Sequence, residues 1–391
     1  MPSRRGVVVC VTGLALAGAG YGYGYAELVA LGVVALAAFA GAMLFAGARP
    51  SLVVGRRLSP ERVGRGEPCH AMVDVGSTAR WRSQALVGEE RLTRGEEESR
   101  TVPVPLIRLK AGAATYLRYP LPTDRRGVID VGPMEIARRD PLGLVASTRR
   151  YGDTVRMWVH PRIHRLSTVP VGASRSLDGV VDAAQYGSIT FHALREYVPG
   201  DDLRHVHWRT SAHIGELMVR QHVETSLPRI VVLLDDRAEA HSPTGAGPDS
   251  LEETIEAAAS VLVAALRAEL HVELHLVSGR SVTPQIAGAA VGVGPYLDLL
   301  AEARRAPDAS LPAAVRRLRA RHRGDTLVLL TGSHSGGDLE QVGLLHDVYP
   351  TVVAGVLGEG TVQLAGLPGL ILIVAETAEQ FAPRWDGVSR W

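Results

Sequence analysis

The chain has 391 residues, 46% of them hydrophobic, and its 42 Lys and Arg against 41 Asp and Glu leave a net charge of +1. That balance lacks the basic excess of a nucleic-acid binder, and the basic residues are arginine except for Lys110, a base-composition bias more than an electrostatic footprint. With two cysteines, Cys10 and Cys69, the chain has neither a disulfide framework nor a multi-cysteine zinc site, which suits a reducing compartment.

Two runs near the N-terminus, Gly6 to Ala26 and Leu28 to Ala48, carry no charge and are separated by Glu27 alone. Each reaches the roughly 20 apolar residues that cross a bilayer. Lipid offers the backbone no hydrogen bonds, so residues 1–50 are predicted to form a transmembrane helical hairpin. Arg4 and Arg5 precede the first run, and Arg49, Arg56 and Arg57 follow the second. By the positive-inside rule both outer ends are cytoplasmic, with Tyr21, Tyr23 and Tyr25 at the external tip. A cleaved signal peptide has a similar start, but no clear small-residue cleavage site follows, and the second run would still anchor the chain. The expected location is the cell membrane, multi-pass, with the N-terminus and the soluble part inside.

Residues 51–165 read as short β runs between turns: Ala71 to Val75, Thr101 to Leu106, Thr115 to Tyr119, Val128 to Val131 and Val155 to Val159. Gly127, Gly132-Pro133 and Asp140-Pro141-Leu142-Gly143 separate the later ones. This spacing predicts an all-β sandwich domain.

Residues 166–225 are the most unusual stretch. Pro199-Gly200 makes a turn, Asp201 or Asp202 caps a short helix from near Leu203, and Gly215 ends it. Glu216 to Val223 then extends toward the last domain, residues 226–391. There Arg229 to Leu234 is an apolar strand, followed by a helix over Leu251 to Leu270 and a strand over His271 to Val277. Helices over Pro295 to Arg305 and Leu311 to Arg321 and strands over Thr326 to Leu330, Thr351 to Leu357 and Leu370 to Val374 complete it. Apolar strands alternating with helices predict a parallel sheet covered on both faces.

The string Leu194-Arg195-Glu196-Tyr197-Val198-Pro199-Gly200-Asp201-Asp202-Leu203-Arg204, with His207-Trp208-Arg209-Thr210-Ser211-Ala212 and Glu216-Leu217-Met218-Val219-Arg220, resembles the signature of the domain of unknown function 58 family. Upstream, Arg126-Gly127-Val128, Gly132-Pro133 and Asp140-Pro141-Leu142-Gly143-Leu144 resemble the end of that family's β-rich region. The N-terminal hairpin fits the family's layout. A departure is His213, where the family often carries arginine. The resemblance implies a C-terminal part similar to a von Willebrand factor type A domain, with a MoxR-type AAA+ ATPase as partner and a membrane transglutaminase-like protein often encoded alongside. It implies no activity.

A metal-binding von Willebrand factor type A domain needs Asp-x-Ser-x-Ser after its first strand, because carboxylate and hydroxyl oxygens must converge on a hard cation. Here the corresponding residues are Asp235, Arg237 and Glu239, and Thr331-Gly332-Ser333 lacks the expected later aspartate. The arginine removes an oxygen ligand and adds a cation, so the loop with Asp235, Asp236 and Glu239 reads as a degenerate metal site; a residual site on those three carboxylates is the alternative. His205, His207, His213 and His222 read as structural histidines, since positions two apart on a helix face different ways. Lys110 has no glycine-rich loop, which excludes a P-loop ATPase. Neither cysteine has a catalytic context, there is no Gly-x-Ser-x-Gly elbow, and Gly292-Val293-Gly294 has Leu297 where a dinucleotide loop needs a third glycine.

A non-enzymatic, cofactor-free membrane scaffold or adaptor is therefore expected, bound to the AAA+ ATPase and the bilayer and not to nucleic acid. Arg195, Glu196, Tyr197, Gly200, Asp201, Arg204, Trp208 and Ser211 form the signature. They read both as an interaction surface, since arginine and aromatic residues dominate hot spots, and as an internal salt-bridge clamp with Trp208 buried. A hydrolase using Asp201, Asp202 and the nearby histidines is the alternative from another functional class.

Overall fold

The computed structural model describes residues 3–47, 52–77, 84–95, 98–110, 112–139, 142–170, 192–198, 206–222, 229–242, 249–283, 292–321, 324–359 and 369–388. Two compact units divide the chain, Met1–His160 and Pro161–Trp391.

The first unit opens with two helices, α1 (Arg4–Tyr23) and α2 (Ala26–Gly47), long and apolar enough to cross a membrane. The break between them falls at Gly24, earlier than the predicted Glu27. Gly24 takes a left-handed φ of 75° and caps α1, which leaves Glu27 in the first turn of α2, where a carboxylate favours the helix dipole. Small residues let the helices approach closely: a Cβ added at Gly32 would lie 2.6 Å from the Ala17 nitrogen.

The strands of this unit are β1 (Leu52–Ser59), β2 (Arg62–Gly64), β3 (Cys69–Ser77), β4 (Gln84–Arg94), β5 (Glu98–Leu109), β6 (Ala114–Leu121), β7 (Gly127–Arg139), β8 (Ala146–Tyr151) and β9 (Val155–His160). One sheet runs β1-β3-β6; the other runs β2-β9-β7-β4-β5, with β8 also on β7. Val73, Val75 and Leu121 from the first sheet share one hydrophobic core with Leu92, Ile129, Val131, Met157 and Val159 from the second. Cys69 is buried in that core and donates to the Pro60 carbonyl at 3.2 Å. Its thiol pKa is raised by burial.

An ionic triad crosses this core. Arg56 on β1 donates to Glu90 on β4 at 2.7 Å, and the Tyr119 hydroxyl on β6 donates to the other Glu90 oxygen. Arg56, grouped in sequence with the membrane-flanking arginines, has a side chain only 1% exposed. Burial raises the carboxyl pKa of Glu90 against the opposing pull of Tyr119 and Arg56.

In the second unit β10 (His192–Glu196) pairs antiparallel with β11 (Met218–His222), and α3 (Trp208–Ile214) lies between them in sequence. The six-stranded sheet has the order β14-β13-β12-β15-β16-β17, from β12 (Arg229–Leu234), β13 (His271–Leu276), β14 (Ser281–Val282), β15 (Thr326–Gly332), β16 (Thr351–Leu357) and β17 (Leu370–Ala375). Every pairing is parallel except that of β14 with β13. Ile230, Val232 and Leu234 face α4 (Ser250–Arg267), α5 (Gly294–Glu302) and α8 (Ala378–Asp386), while Val231 and Leu233 face α6 (Leu311–Arg321) and α7 (Leu339–Gly343). The strands are apolar along both faces because helices cover both. Gly292 and Val293 form the turn into α5, and Leu297 is a buried core residue of that helix.

Removing the cation of the first unit's triad isolates a buried carboxylate. Arg56→Met is expected to lower the unfolding free energy of the full chain in detergent by about 3–5 kcal/mol, and Tyr119→Phe by only about 1 kcal/mol. Equal losses in denaturant titrations would mean that charge pairing is not the dominant part of the triad.

Candidate functional site

In an open sheet of this order the connections lead to opposite sides from β12 and from β15, and the crevice outside the carboxyl ends of those parallel strands is where such sheets bind ligands. Asp235 and Asp236 follow β12 directly, and Thr331 and Gly332 end β15. Asp235 is fully buried, at 0% exposure. Its carboxylate accepts from Arg237 Nε at 3.0 Å, Arg237 Nη2 at 2.9 Å and the Thr331 hydroxyl at 2.8 Å. The remaining guanidinium nitrogen, Nη1, donates to Glu239 at 2.9 Å and Asp338 at 2.8 Å. Burial opposes the charge on Arg237, but Asp235 and Asp338 hold its pKa above the usual value.

The three predicted carboxylates therefore do not converge on a common point. Asp235 and Glu239 are bridged by the guanidinium, while Asp236 turns away to accept from the Ser278 N–H at 2.9 Å, its pKa raised by burial. Among the described residues no three His, Cys, Asp or Glu side chains form a metal-ligand group. A hard cation does not fit this arrangement, because a tethered cation already neutralises the oxygens it would need.

Behind the loop, His241 is buried. Its Nε2 lies 2.7 Å from the Asp235 carbonyl and its Nδ1 3.2 Å from the Ser250 hydroxyl. Ser250 Oγ also accepts from the Ser242 N–H at 3.1 Å, so its proton is free for Nδ1, and these partners assign the neutral Nε2–H tautomer. Burial lowers the His241 pKa. Gly332 passes so close to the Ala240 carbonyl that no side chain fits there. The sequence reading did not pair Arg237 with Asp338, and it missed His241. Neither carries a spacing signal: the Arg237–Asp338 contact depends on how loops after two different strands meet, and His241 is set by how the β12–α4 connection folds back on Asp235 and Ser250.

The signature segment has a different character. Arg195 pairs with Val219 and Glu196 with Met218 across the β10–β11 ladder, and the Tyr197 N–H donates to the Leu217 carbonyl at 2.7 Å. Gly200, Asp201, Asp202, Arg204 and His205 lie outside the described residues. The cap of α3 is His207, whose Nδ1 accepts from the Thr210 N–H at 3.2 Å, and not an aspartate near Leu203; Gly215 ends the helix in a left-handed conformation as expected. Ser211 is buried, accepts from the Met218 N–H at 2.8 Å and donates to the His207 carbonyl at 3.1 Å. Trp208, read as the buried anchor of a clamp, is instead 64% exposed, with Ile214, Leu217 and Val198 also exposed. Of the histidines, His207 caps the helix and His213 is exposed.

The family described as protein of unknown function DUF58 matches residues 193–353, from β10 into β16. A curated relative, the uncharacterized protein YeaD of Bacillus subtilis (strain 168), is 28% identical over 154 residues. That stretch is 39% of this chain and 36% of the relative, so the chain spans little more than a third of that protein's length. Among solved structures, the alkylpurine DNA glycosylase AlkC of Pseudomonas fluorescens is similar over 33% of this chain and 39% of its own, with 16% identity and a TM-score of 0.21. The sporulation control protein Spo0M of Bacillus subtilis is similar over 28% of this chain and 50% of its own, with 16% identity and a TM-score of 0.19. Scores at this level carry no argument about fold.

Arg237→Ala leaves Asp235 buried without a cation and is expected to cost about 3–5 kcal/mol of stability, read by denaturant unfolding. A change under about 1 kcal/mol would mean the guanidinium only decorates the loop.

The lowered pKa of His241 gives a second test. The neutral ring contributes stability in full above its unfolded pKa of about 6.5, and that contribution is lost as pH falls through the lower folded value, by at most about 1.4 kcal/mol per pH unit. Asp236, raised by burial, runs the other way toward about pH 4. A His241→Gln variant isolates the imidazole: its stability should fall less steeply than that of the unaltered chain below about pH 6.5. Parallel profiles would remove His241 from the acid response.

Proposed function

We propose that the chain is a membrane-anchored, non-catalytic scaffold that presents a β-sandwich and a degenerate von Willebrand factor type A-like domain to a cytoplasmic MoxR-type AAA+ ATPase, and that the partner docks on α3. The observation that carries this reading is Trp208, a large aromatic side chain left 64% exposed on a helix tied down by the His207 cap and by Ser211. Tryptophan is the residue most enriched in interface hot spots, and a rigid mount lowers the entropy lost on binding. Ile214 and Leu217 are further exposed apolar side chains on or just after α3, and Arg209 and His213 are exposed polar ones.

Two further features support the domain readings. Both sheets of the first unit contribute to one core, as the layers of a sandwich do. The order β14-β13-β12-β15-β16-β17 with one antiparallel edge strand suits a von Willebrand factor type A-like sheet. The internal guanidinium at its switch point favours a binding module whose metal-dependent adhesion has been given up. The arginines flanking the hairpin support a cytoplasmic side for the docking face, the compartment of the proposed ATPase.

The test is capture of the purified MoxR-type ATPase by the full chain in detergent. Trp208→Ala is expected to cost about 2 kcal/mol or more of binding, roughly a 30-fold weakening, with the melting transition nearly unchanged because the side chain is exposed. If Trp208→Ala and Ile214→Ala both leave capture intact in folded protein, α3 is not the docking element.

A further inference from the structure

The segment Leu142–Val145, between β7 and β8, is a motif that the scaffold role does not use, yet it is fixed to the base of the helical hairpin. The Ser3 N–H donates to the Leu144 carbonyl at 2.8 Å, and the Ser3 hydroxyl donates to the Gly143 carbonyl at 2.8 Å. Gly6 lies so close to the Leu144 carbonyl that any side chain there would collide with it. Leu144 and Val145 are buried in a small cluster with Ala42, Val9 and Phe39.

The position of this contact along the helices is the informative quantity. With 20 residues, α1 is about 30 Å long, which matches the hydrocarbon thickness of a bilayer and leaves no length to spare. Val9 is about 7 Å into α1 from Arg4, and Phe39 is about 12 Å into α2 from Gly47. The backbone of the turn therefore lies level with Ser3, at the interface end of α1, while the Leu144 and Val145 side chains join a cluster that extends past Arg4 to Val9 and Phe39. Irregular backbone is tolerated at that depth only where protein covers it, and here the helices cover Leu144 and Val145. Leu142, beside them, is 61% exposed. Arg4 and Arg5, exposed at the base of α1, are placed to meet anionic headgroups.

We propose that the turn Leu142–Val145 is a lipid-facing seat: Leu144 and Val145 plug the base of the hairpin while Leu142 enters the interface of the cytoplasmic leaflet, so that the β-rich unit is fixed on the membrane. The proposal rests on the hairpin spanning the bilayer, and its test separates the two. In a Cys10→Ala background, where the remaining native thiol, Cys69, is buried and unreactive, single cysteines at Leu142, Val34 and Glu61 are labelled with an environment-sensitive fluorophore. The full chain is then placed in nanodiscs of phosphatidylcholine and phosphatidylglycerol. Val34, exposed in the middle of α2, reports the span; Glu61, exposed in the bend between β1 and β2, reports water. The expected result is that the Leu142 probe is quenched by shallow nitroxide lipids and is several-fold less accessible to aqueous iodide than the Glu61 probe. Gly6→Ala should raise the iodide accessibility of Leu142 while Val34 stays in lipid. If Val34 is in lipid and Leu142 is as accessible as Glu61, the seat is wrong and the span stands. If Val34 is itself in water, the span fails and the seat falls with it.

Discussion

The carboxylate of Asp235 directly follows β12, the fully covered central strand of the six-stranded sheet, and a buried carboxylate has to be met by a cation or give up its charge. Arg237, two residues later, is that cation, and the rest of the sheet's upper edge is arranged around the pair. Thr331 adds a hydrogen bond to Asp235 from the end of β15, and Asp338 adds one to Arg237 from the following loop. His241 holds the Asp235 carbonyl from behind. Loops from the two strands that flank the switch point are thereby stitched across the crevice where an open α/β sheet would otherwise take a ligand. Under the proposed scaffold role, recognition falls on another surface, α3 with its exposed Trp208.

The first unit solves the same problem with the same residue type. Arg56, Glu90 and Tyr119 come from β1, β4 and β6, two of them in one sheet and one in the other, so the triad ties both sheets through their shared core. Arginine suits both places because it cannot be neutralised by burial and its planar fork satisfies several acceptors at once. Hydrophobic replacement of a buried ion pair often stabilises a protein, whereas loss of one partner is costly. Each pair therefore fixes which strands meet more than it adds net stability. The arginine-rich, nearly lysine-free composition, read in sequence as a coding bias, supplies both of these buried cations.

Hydropathy made the helical pair legible, and the continuous apolar runs made β12, β13, β15, β16 and β17 legible, since burial on both faces writes itself directly into composition. The elements that escaped lack that mark. β4 carries Glu89, Glu90 and Arg91 in succession, and only the fold reveals that Glu90 points into a core. β14 has two residues, and α8 contains Pro383, which in sequence argues against a helix. At the candidate sites, an arginine set among Asp235, Asp236 and Glu239 was readable in one dimension, but its contacts with Glu239 and Asp338 were not. Of the two readings of Trp208, the buried anchor of a clamp fails for a general reason: the preference of tryptophan for burial is an average over sites, and this side chain is 64% exposed.

The platform that carries Trp208 is made of parts that do not hold themselves together. A two-stranded antiparallel pair is marginal in water, and a helix of seven residues is far below the roughly 12–15 at which isolated helices begin to persist. Their order depends on a few polar stitches: Ser211 to Met218, His207 to Thr210 and to the Met218 carbonyl, and Tyr197 to Leu217. Val206 and Val219 add a small apolar contact beneath them. A partner that covers Trp208, Ile214 and Leu217 would bury apolar surface on the element with least of its own. If the proposed partner binds the ordered form alone, it stabilises that form by mass action, and docking on α3 and the order of α3 become linked equilibria. The sheet of the second unit, closed at its crevice by Arg237, is a rigid base that does not have to change for that linkage to operate.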